Sequence, residues 1–246
     1  MSKTNVGDQV CCPADYFPLG EVARVDIVEC DARAYAAILR EADYIVLGGG
    51  GVFYFREVTE ALCAAHGKKT IVWGAGANRH DSETQDYPPS LRECALVGLR
   101  DDCAEWVPCV SCLSPLFDVQ TRAVYPVAIY EHKNFPILTQ QYEWPRLKNN
   151  ASFEGAIRFL SQARVIVTNS FHGAYWARLL GRQVVLYEPF SSKFFRMKWQ
   201  PPIATDMDQL TRLIASVAGA TPTTYLDEAR QATARFYERV TAFLHR

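Results

Sequence analysis

His172 stands in a segment whose residue types could do acid–base chemistry. In Asn169-Ser170-Phe171-His172-Gly173, small polar side chains separate an apolar run from a run with helical spacing. An imidazole changes charge near neutral pH and can give or take a proton. A helix that begins here would also present backbone N–H groups to an anion. The segment predicts acid–base chemistry beside a bound anion, and helix capping is the alternative role of His172.

Three basic residues follow predicted strands. Arg100 ends a short apolar run, and Lys193 and Arg196 come soon after another. A guanidinium group binds phosphate or carboxylate through paired hydrogen bonds. These cations predict a site for an anionic ligand. A surface ion pair of Arg100 with Asp101 or Asp102 is the alternative.

Glycine-rich loops follow two further predicted strands. Gly49 and Gly50 belong to a run of four glycines, and Gly76 belongs to the next such loop. Glycine lets the backbone approach a ligand closely, although tight packing of a loop would explain it as well. Neither loop has the spacing of a dinucleotide-binding or Walker motif. Because parallel strands place their carboxyl ends at one edge, we expect both loops to border one crevice.

The elements that must position these residues alternate between strand and helix. Apolar and β-branched runs predict strands at 24–29, 44–47, 69–73, 97–99, 125–130, 165–167 and 183–187. Helical spacing, with caps at Asp31 and Ser152, predicts helices at 32–40, 56–66, 153–162, 171–180, 206–217 and 225–244. Strands that alternate with helices predict an α/β fold with parallel sheets.

Two Rossmann-like halves that face each other across a cleft are the simplest architecture for this pattern. We expect an N-terminal domain over 1–120 and a C-terminal domain over 121–246, which would contain His172. One continuous doubly wound sheet is the alternative. The irregular stretch 107–123 predicts a linker, 134–150 predicts a loop over the site, and the long last helix is expected to cover a sheet.

Composition limits the classes of function. The chain has 246 residues and a formal charge of −1, which gives no reason to propose a nucleic-acid partner. No apolar run could span a bilayer, and the first residues lack the apolar core of a signal peptide. These features favour a cytoplasmic protein, and peripheral membrane association remains open.

The eight cysteines predict reduced thiols. Cys109 and Cys112 form one CxxC pair, but a structural zinc site needs a second pair at similar spacing. No other cluster of histidine and acidic residues suggests a metal. We therefore expect no metal site.

Together these motifs resemble those of the polysaccharide pyruvyl transferase family. The matching segments are NVGD at 5–8, ADYIVLGGGG at 42–51, WGAG at 73–76, LRD at 99–101, NSFHGA at 169–174 and LGRQVV at 180–185. Each motif is short, but their order and spacing make the set fairly specific. The resemblance covers roughly residues 4–200.

The resemblance implies a two-domain fold like that of the GT-B glycosyltransferases. It also implies transfer of pyruvate from phosphoenolpyruvate onto a sugar of a surface polysaccharide or exopolysaccharide precursor, as a ketal. Phosphoenolpyruvate would be the donor substrate without any further cofactor, and the acceptor would be a saccharide, with a lipid-linked one at the inner face of the membrane as an option. The domain over 1–120 would be the acceptor side, and the domain over 121–246, with His172 as the catalytic acid or base, would be the donor side. The expected substrate-binding residues are Asn5, Asp8, Gly49, Gly50, Gly76, Arg100, Asn169, Ser170, Gly173, Lys193 and Arg196.

The sequence departs from the family pattern at its start. Few residues precede Asn5, where the family usually has a first strand, so we expect a reduced N-terminal half. A GT-B-type glycosyltransferase that uses a nucleotide-sugar, with Glu188 at the donor, is the second hypothesis. A non-catalytic sugar-binding protein of the same pathway is the third. Tyr142, Trp144 and Trp176 could stack on a sugar, although core packing would explain them equally.

Overall fold

A computed structural model describes residues 5–26, 32–80, 83, 87–101, 105–119, 121–139, 142–221 and 223–245. The helices and strands are, in chain order, α1 (Val6–Gln9), α2 (Ala32–Glu41), β1 (Ile45–Gly48), α3 (Arg56–His66), β2 (Thr70–Ala75), β3 (Leu96–Leu99), β4 (Tyr125–Glu131), β5 (Arg146–Lys148), α4 (Phe153–Ser161), β6 (Ala163–Thr168), α5 (Phe171–Leu179), β7 (Gln183–Tyr187), β8 (Ile203–Ala204), α6 (Met207–Ala218) and α7 (Leu226–Leu244). Single 3₁₀ turns occupy several of the connections.

The strands form two parallel sheets. One sheet has three strands in the order β1-β2-β3, and the other has five in the order β5-β4-β6-β7-β8. Every pairing within them is parallel. The α/β class and the parallel sheets predicted from the alternating pattern are confirmed. Since all strands of a sheet point the same way, the loops after their carboxyl ends gather at one edge.

The five-stranded sheet is buried on both faces. Ile166 pairs with Ala128 on one side and Val184 on the other, and all three are fully buried. Apolar side chains on one face pack with α5, and those on the other face pack with Leu210 of α6. This explains why β6 and β7 are continuous β-branched runs rather than alternating ones.

The last helix covers the three-stranded sheet. Phe236 and Val240 of α7 are fully buried with Ile71 and Trp73 of β2. The Phe236 ring meets the Trp73 ring edge-on, with centroids 5.3 Å apart. The boundary at 120/121 therefore separates the strands of the two sheets, but α7 packs on the earlier one.

Some local expectations differ from the structure. The motif at 5–8 is a short helix, and the expected loop 134–150 contains β5, a three-residue edge strand. Of the strand expected at 24–29, residues 24–26 are irregular, and the rest lies outside the described residues, as do Asp31 and Asp102. The expected linker 107–123 contributes buried side chains such as Val107 and Val110 to the core under α7.

No described helix combines the length and apolarity needed to cross a membrane.

Replacing Phe236 by Ala tests the role of α7. The fully buried ring would leave a cavity against Trp73, and we expect the free energy of unfolding to fall by about 3–5 kcal/mol. Urea denaturation measures it. Arg235→Ala, on the exposed side of the same helix, should change stability by less than about 0.5 kcal/mol. Equal effects of the two variants would show that α7 does not complete this core.

Candidate functional site

One cavity of about 570 Å³ lies at the carboxyl ends of strands from both sheets. Its lining comes from the N-terminal turn and from the segments that follow each of the strands β1 to β7. Eight of the twelve predicted site residues line it: Asn5, Asp8, Gly49, Gly50, Arg100, Ser170, His172 and Lys193. The volume is within the range of small-molecule sites, roughly 300–1,000 Å³.

His172 lies in the first turn of α5, which Ser170 caps by accepting a hydrogen bond from the Gly173 N–H at 3.3 Å. The imidazole is 6 % exposed, and its buried Nε2 has no hydrogen-bond partner among the described residues. Burial, followed by the charges of Arg100 and Lys193, holds the pKa of His172 well below its ordinary value. The imidazole is therefore neutral at pH 7 and can accept a proton.

The N-terminal turn packs against this histidine from the other side. Val6 N–H donates to the Asn149 carbonyl at 3.0 Å, and Asn149 Nδ2 donates to Asn5 Oδ1 at 3.4 Å. A Cβ added to Gly7 would overlap the His172 ring. The motif at 5–8 therefore sits beside β5 and α5, where it fixes the imidazole and presents Asp8 to the cavity.

Arg100 crosses from the three-stranded sheet to α5. Its side chain is 4 % exposed, and the guanidinium carbon stacks 3.9 Å from the centre of the Phe171 ring. Its buried Nε has no hydrogen-bond partner in the part of the chain that the structure describes. Asp101 is fully buried, and the charge of Arg100 acts on its carboxylate. This interaction is therefore not at the surface, and Asp102, the other residue of that alternative, lies outside the described residues.

Lys193 enters the cavity between two aromatic rings. Its Nζ lies 4.8 Å from the ring centre of Phe190 and 5.1 Å from that of Phe194. Burial, together with the charge of Arg100, lowers the pKa of Lys193 to about 7, although Asp8 opposes the shift. An anionic ligand would favour the protonated lysine.

The first glycine loop packs tightly against its neighbours and also lines the cavity. Gly49 and Gly50 have φ of 80° and 64°, which side chains rarely adopt. A Cβ on Gly49 would also lie 2.5 Å from the Cys11 carbonyl oxygen. Tight packing and closeness to a ligand are thus compatible roles for these glycines, because the close packing brings the loop to the cavity wall.

Four predicted site residues do not line the cavity. A Cβ on Gly76 would overlap Arg100, and one on Gly173 would overlap Tyr130, so both glycines serve packing. The Asn169 amide accepts from His132 N–H and donates to the Phe135 carbonyl, each at 2.8 Å, and so orders the loop after β4. Arg196 is exposed.

Sequence reasoning missed other lining residues, which are Cys11, Gly51, Val52, Tyr54, Phe55, Asn78, His80, His132, Lys133, Asn134, Asn149, Phe171 and Phe190. His132 follows β4 directly, so the rule of strand carboxyl ends could have found it. Burial, followed by the charges of Lys193, Lys133 and His80, lowers the pKa of His132 to about 4. The positive charges around this cavity thus lower the pKa values of neighbouring basic side chains.

The sugar-stacking candidates lie elsewhere. Trp176 is fully buried in the core, and Tyr142 stacks on Trp144 with ring centres 4.4 Å apart. Glu188, which a nucleotide-sugar enzyme would use, is exposed with a φ of 45° and is not in the described lining.

The charge of the lining is predominantly positive. Arg100, Lys193 and Lys133 face it, and Asp8 is its one carboxylate among the described residues. Within the described ranges, no group of three or more His, Cys, Asp or Glu side chains is placed to hold a metal ion. The chemistry that this lining offers is anion binding next to a neutral base.

No protein-family model matches this sequence, and no curated protein matches it at a significant level. The resemblance to the pyruvyl transferases therefore rests on the sequence motifs alone.

Replacing Gly173 by Ala distinguishes packing from binding. The new methyl group would overlap Tyr130 and crowd Thr168, so we expect a loss of about 1–3 kcal/mol in unfolding free energy. Gly219→Ala is the matched control, because its Cβ would meet only the Ser216 carbonyl oxygen, at 3.8 Å. Thermal or urea unfolding gives both values. If the Gly173 variant were as stable as the wild type, the packing role would be contradicted and ligand contact would again be the better explanation of this glycine.

Proposed function

We propose that this protein transfers pyruvate from phosphoenolpyruvate onto a sugar of a surface polysaccharide or exopolysaccharide precursor, as a ketal. In this proposal the two sheets act as the halves of a GT-B-like enzyme, and the shared cavity is the active site. The reaction would take place in the cytoplasm, with a lipid-linked acceptor reached from the inner face of the membrane.

The observation that carries the proposal is a neutral, buried imidazole beside two largely buried cations. Phosphoenolpyruvate has a phosphate and a carboxylate on a three-carbon core, so it offers two anionic groups to Arg100 and Lys193. Guanidinium favours the bidentate geometry of a carboxylate or a phosphate, and ammonium acts as a point charge. The first turn of α5, with its N–H groups, would add to anion binding.

The reaction needs one proton at the methylene carbon and the removal of protons from two hydroxyl groups. Protonation of C3 makes C2 electrophilic, and the first sugar hydroxyl attacks C2. The C2–O bond to phosphate then breaks, and the second hydroxyl attacks C2 to close the ketal ring. Of the two hydroxyl protons, one balances that added to C3 and the other leaves with inorganic phosphate.

His172 is suited to carry a proton in these steps. In the free enzyme its lowered pKa keeps it neutral. A bound trianionic donor would offset the charges of Arg100 and Lys193 and raise the pKa of the ring, which would then take up a proton from solvent. The imidazolium would give this proton to C3 of the donor, and the neutral ring would accept the proton of the attacking hydroxyl. One side chain would serve as acid and then as base.

The first experiment compares donors. Phosphoenolpyruvate at saturating concentration should raise the melting temperature, whereas a UDP-sugar should not, because binding to the native state stabilises it by mass action. The reverse result would favour the glycosyltransferase hypothesis. A shift without any transfer to a panel of lipid-linked or nucleotide-linked glycans, followed by mass spectrometry, would favour the non-catalytic one.

His172→Ala should slow acceptor-dependent phosphate release from phosphoenolpyruvate by about 10²–10⁴-fold, which is typical of a lost general acid or base. His66→Ala is the control, since His66 ends α3 and is not in the described lining. A phosphate assay under saturating donor gives kcat. An unchanged kcat in the His172 variant would remove this residue from the mechanism.

Lys193 should make donor binding depend on pH. Its pKa is lowered to about 7, so it loses its charge as the pH rises through neutrality, and the affinity for phosphoenolpyruvate should fall. Lys193→Arg keeps its charge at every accessible pH and should abolish this alkaline loss. Calorimetric titration from pH 6 to 9, with Lys68→Arg as control, measures it. A parallel pH profile in the wild type and the Lys193 variant would contradict the assignment.

A further inference from the structure

Asn78 lines the cavity, and its side chain contains an unsatisfied acceptor. It lies in the loop after β2, and its buried Oδ1 has no hydrogen-bond partner within the described ranges. The side chain packs against Gly51, where a Cβ would approach the Asn78 Cβ to 2.6 Å. A buried polar atom without a partner is costly. The amide is thus held in place, and its oxygen is left for a group that comes with a ligand.

Phosphoenolpyruvate cannot be the hydrogen-bond partner of this oxygen. The argument here rests on the proposed function. Above the second pKa of a phosphate monoester, about 6, phosphoenolpyruvate has only acceptor oxygens. It can pair with the guanidinium group of Arg100, but it has no proton to donate to Asn78 Oδ1. A sugar has hydroxyl groups that donate. The Asn78 oxygen therefore suits a second, hydroxyl-bearing substrate better than it suits the anionic donor.

Aromatic side chains beside Asn78 fit the same ligand. Tyr54 is 53 % exposed, and its ring centre lies 5.2 Å from that of His80. His80 in turn meets Phe190, 5.7 Å away, and all three line the cavity. These rings come from the loops of both sheets, and the Phe190 ring also stacks on Phe135, with centres 4.2 Å apart. The C–H face of a pyranose packs on such rings while its hydroxyl groups turn to polar neighbours.

We propose that Asn78, together with Tyr54 and Phe190, forms the acceptor subsite, and that it takes a pyranose. The Asn78 oxygen accepts a hydrogen bond from one sugar hydroxyl and orients the ring. The hydroxyl groups that attack the donor then lie in the cavity that His172 also lines. Asn78 is in this sense a positioning and specificity residue.

Binding of two simple sugars and binding of the donor are measured separately to test this subsite. Saturation-transfer NMR with methyl galactopyranoside and methyl glucopyranoside at millimolar concentration reports sugar binding, and calorimetry reports phosphoenolpyruvate binding. Asn78→Ala should weaken binding of at least one glycoside about fivefold or more, which corresponds to one hydrogen bond. It should change the donor affinity less than about twofold. Asn150→Ala, an exposed asparagine that is not in the described lining, should change neither.

Tyr54→Ala is a second variant, which leaves the Asn78 amide unchanged. It should also weaken glycoside binding without changing the affinity for phosphoenolpyruvate. The subsite is refuted if the wild type binds neither glycoside, or if Asn78→Ala behaves like Asn150→Ala. It is also refuted if Asn78→Ala weakens donor and sugar equally, since the amide would then act on the whole cavity. Failure of the wild type to bind phosphoenolpyruvate instead refutes the proposed function, and the glycoside titrations still decide on the subsite.

Discussion

A buried guanidinium connects the two sheets, and the rest of the site is arranged around it. Arg100 leaves the end of β3, passes over Gly76 and stacks on Phe171, the first residue of α5. A buried charge is costly unless other groups compensate it. Here the carboxylate of Asp101, the Phe171 ring face and the neutral state of His172 reduce the cost, while Lys193 increases it. The same arrangement makes the cavity strongly favourable for an anion.

The loops that carry the cations are held before any ligand arrives. Ser192 N–H donates to the Arg79 carbonyl at 2.8 Å, and Arg79 N–H donates to the Ser192 hydroxyl at 2.9 Å. These bonds join the loop after β2 to the loop after β7, directly before Lys193. Because these bonds hold the loop that carries Lys193 against the other sheet, less ordering of this loop remains to oppose binding.

The sequence predicted the elements around His172 closely because local signals agree there. β6, α5 and β7 have continuous apolar or helical patterns, a capping serine and a stop at Gly181, whose φ is 68°. Sequence patterns did not predict the role of a residue where that role depends on partners distant in the chain. Nothing local shows that Gly7 must leave room for an imidazole 165 positions later, that Gly76 makes space for Arg100, or that Asn78 keeps an open oxygen. β5 was missed because three residues carry too little periodicity.

The packing of α7 on the three-stranded sheet also orders the assembly of the protein in time. The core of β2 with Trp73 is complete only when Phe236 and Val240 have been added, and a chain is synthesised from its N-terminus. While the ribosome is still making the second sheet, the apolar face of the first is therefore uncovered. The cavity, which needs loops from both sheets, forms only after the loop that carries Lys193 has been synthesised, so the first sheet cannot build the site by itself.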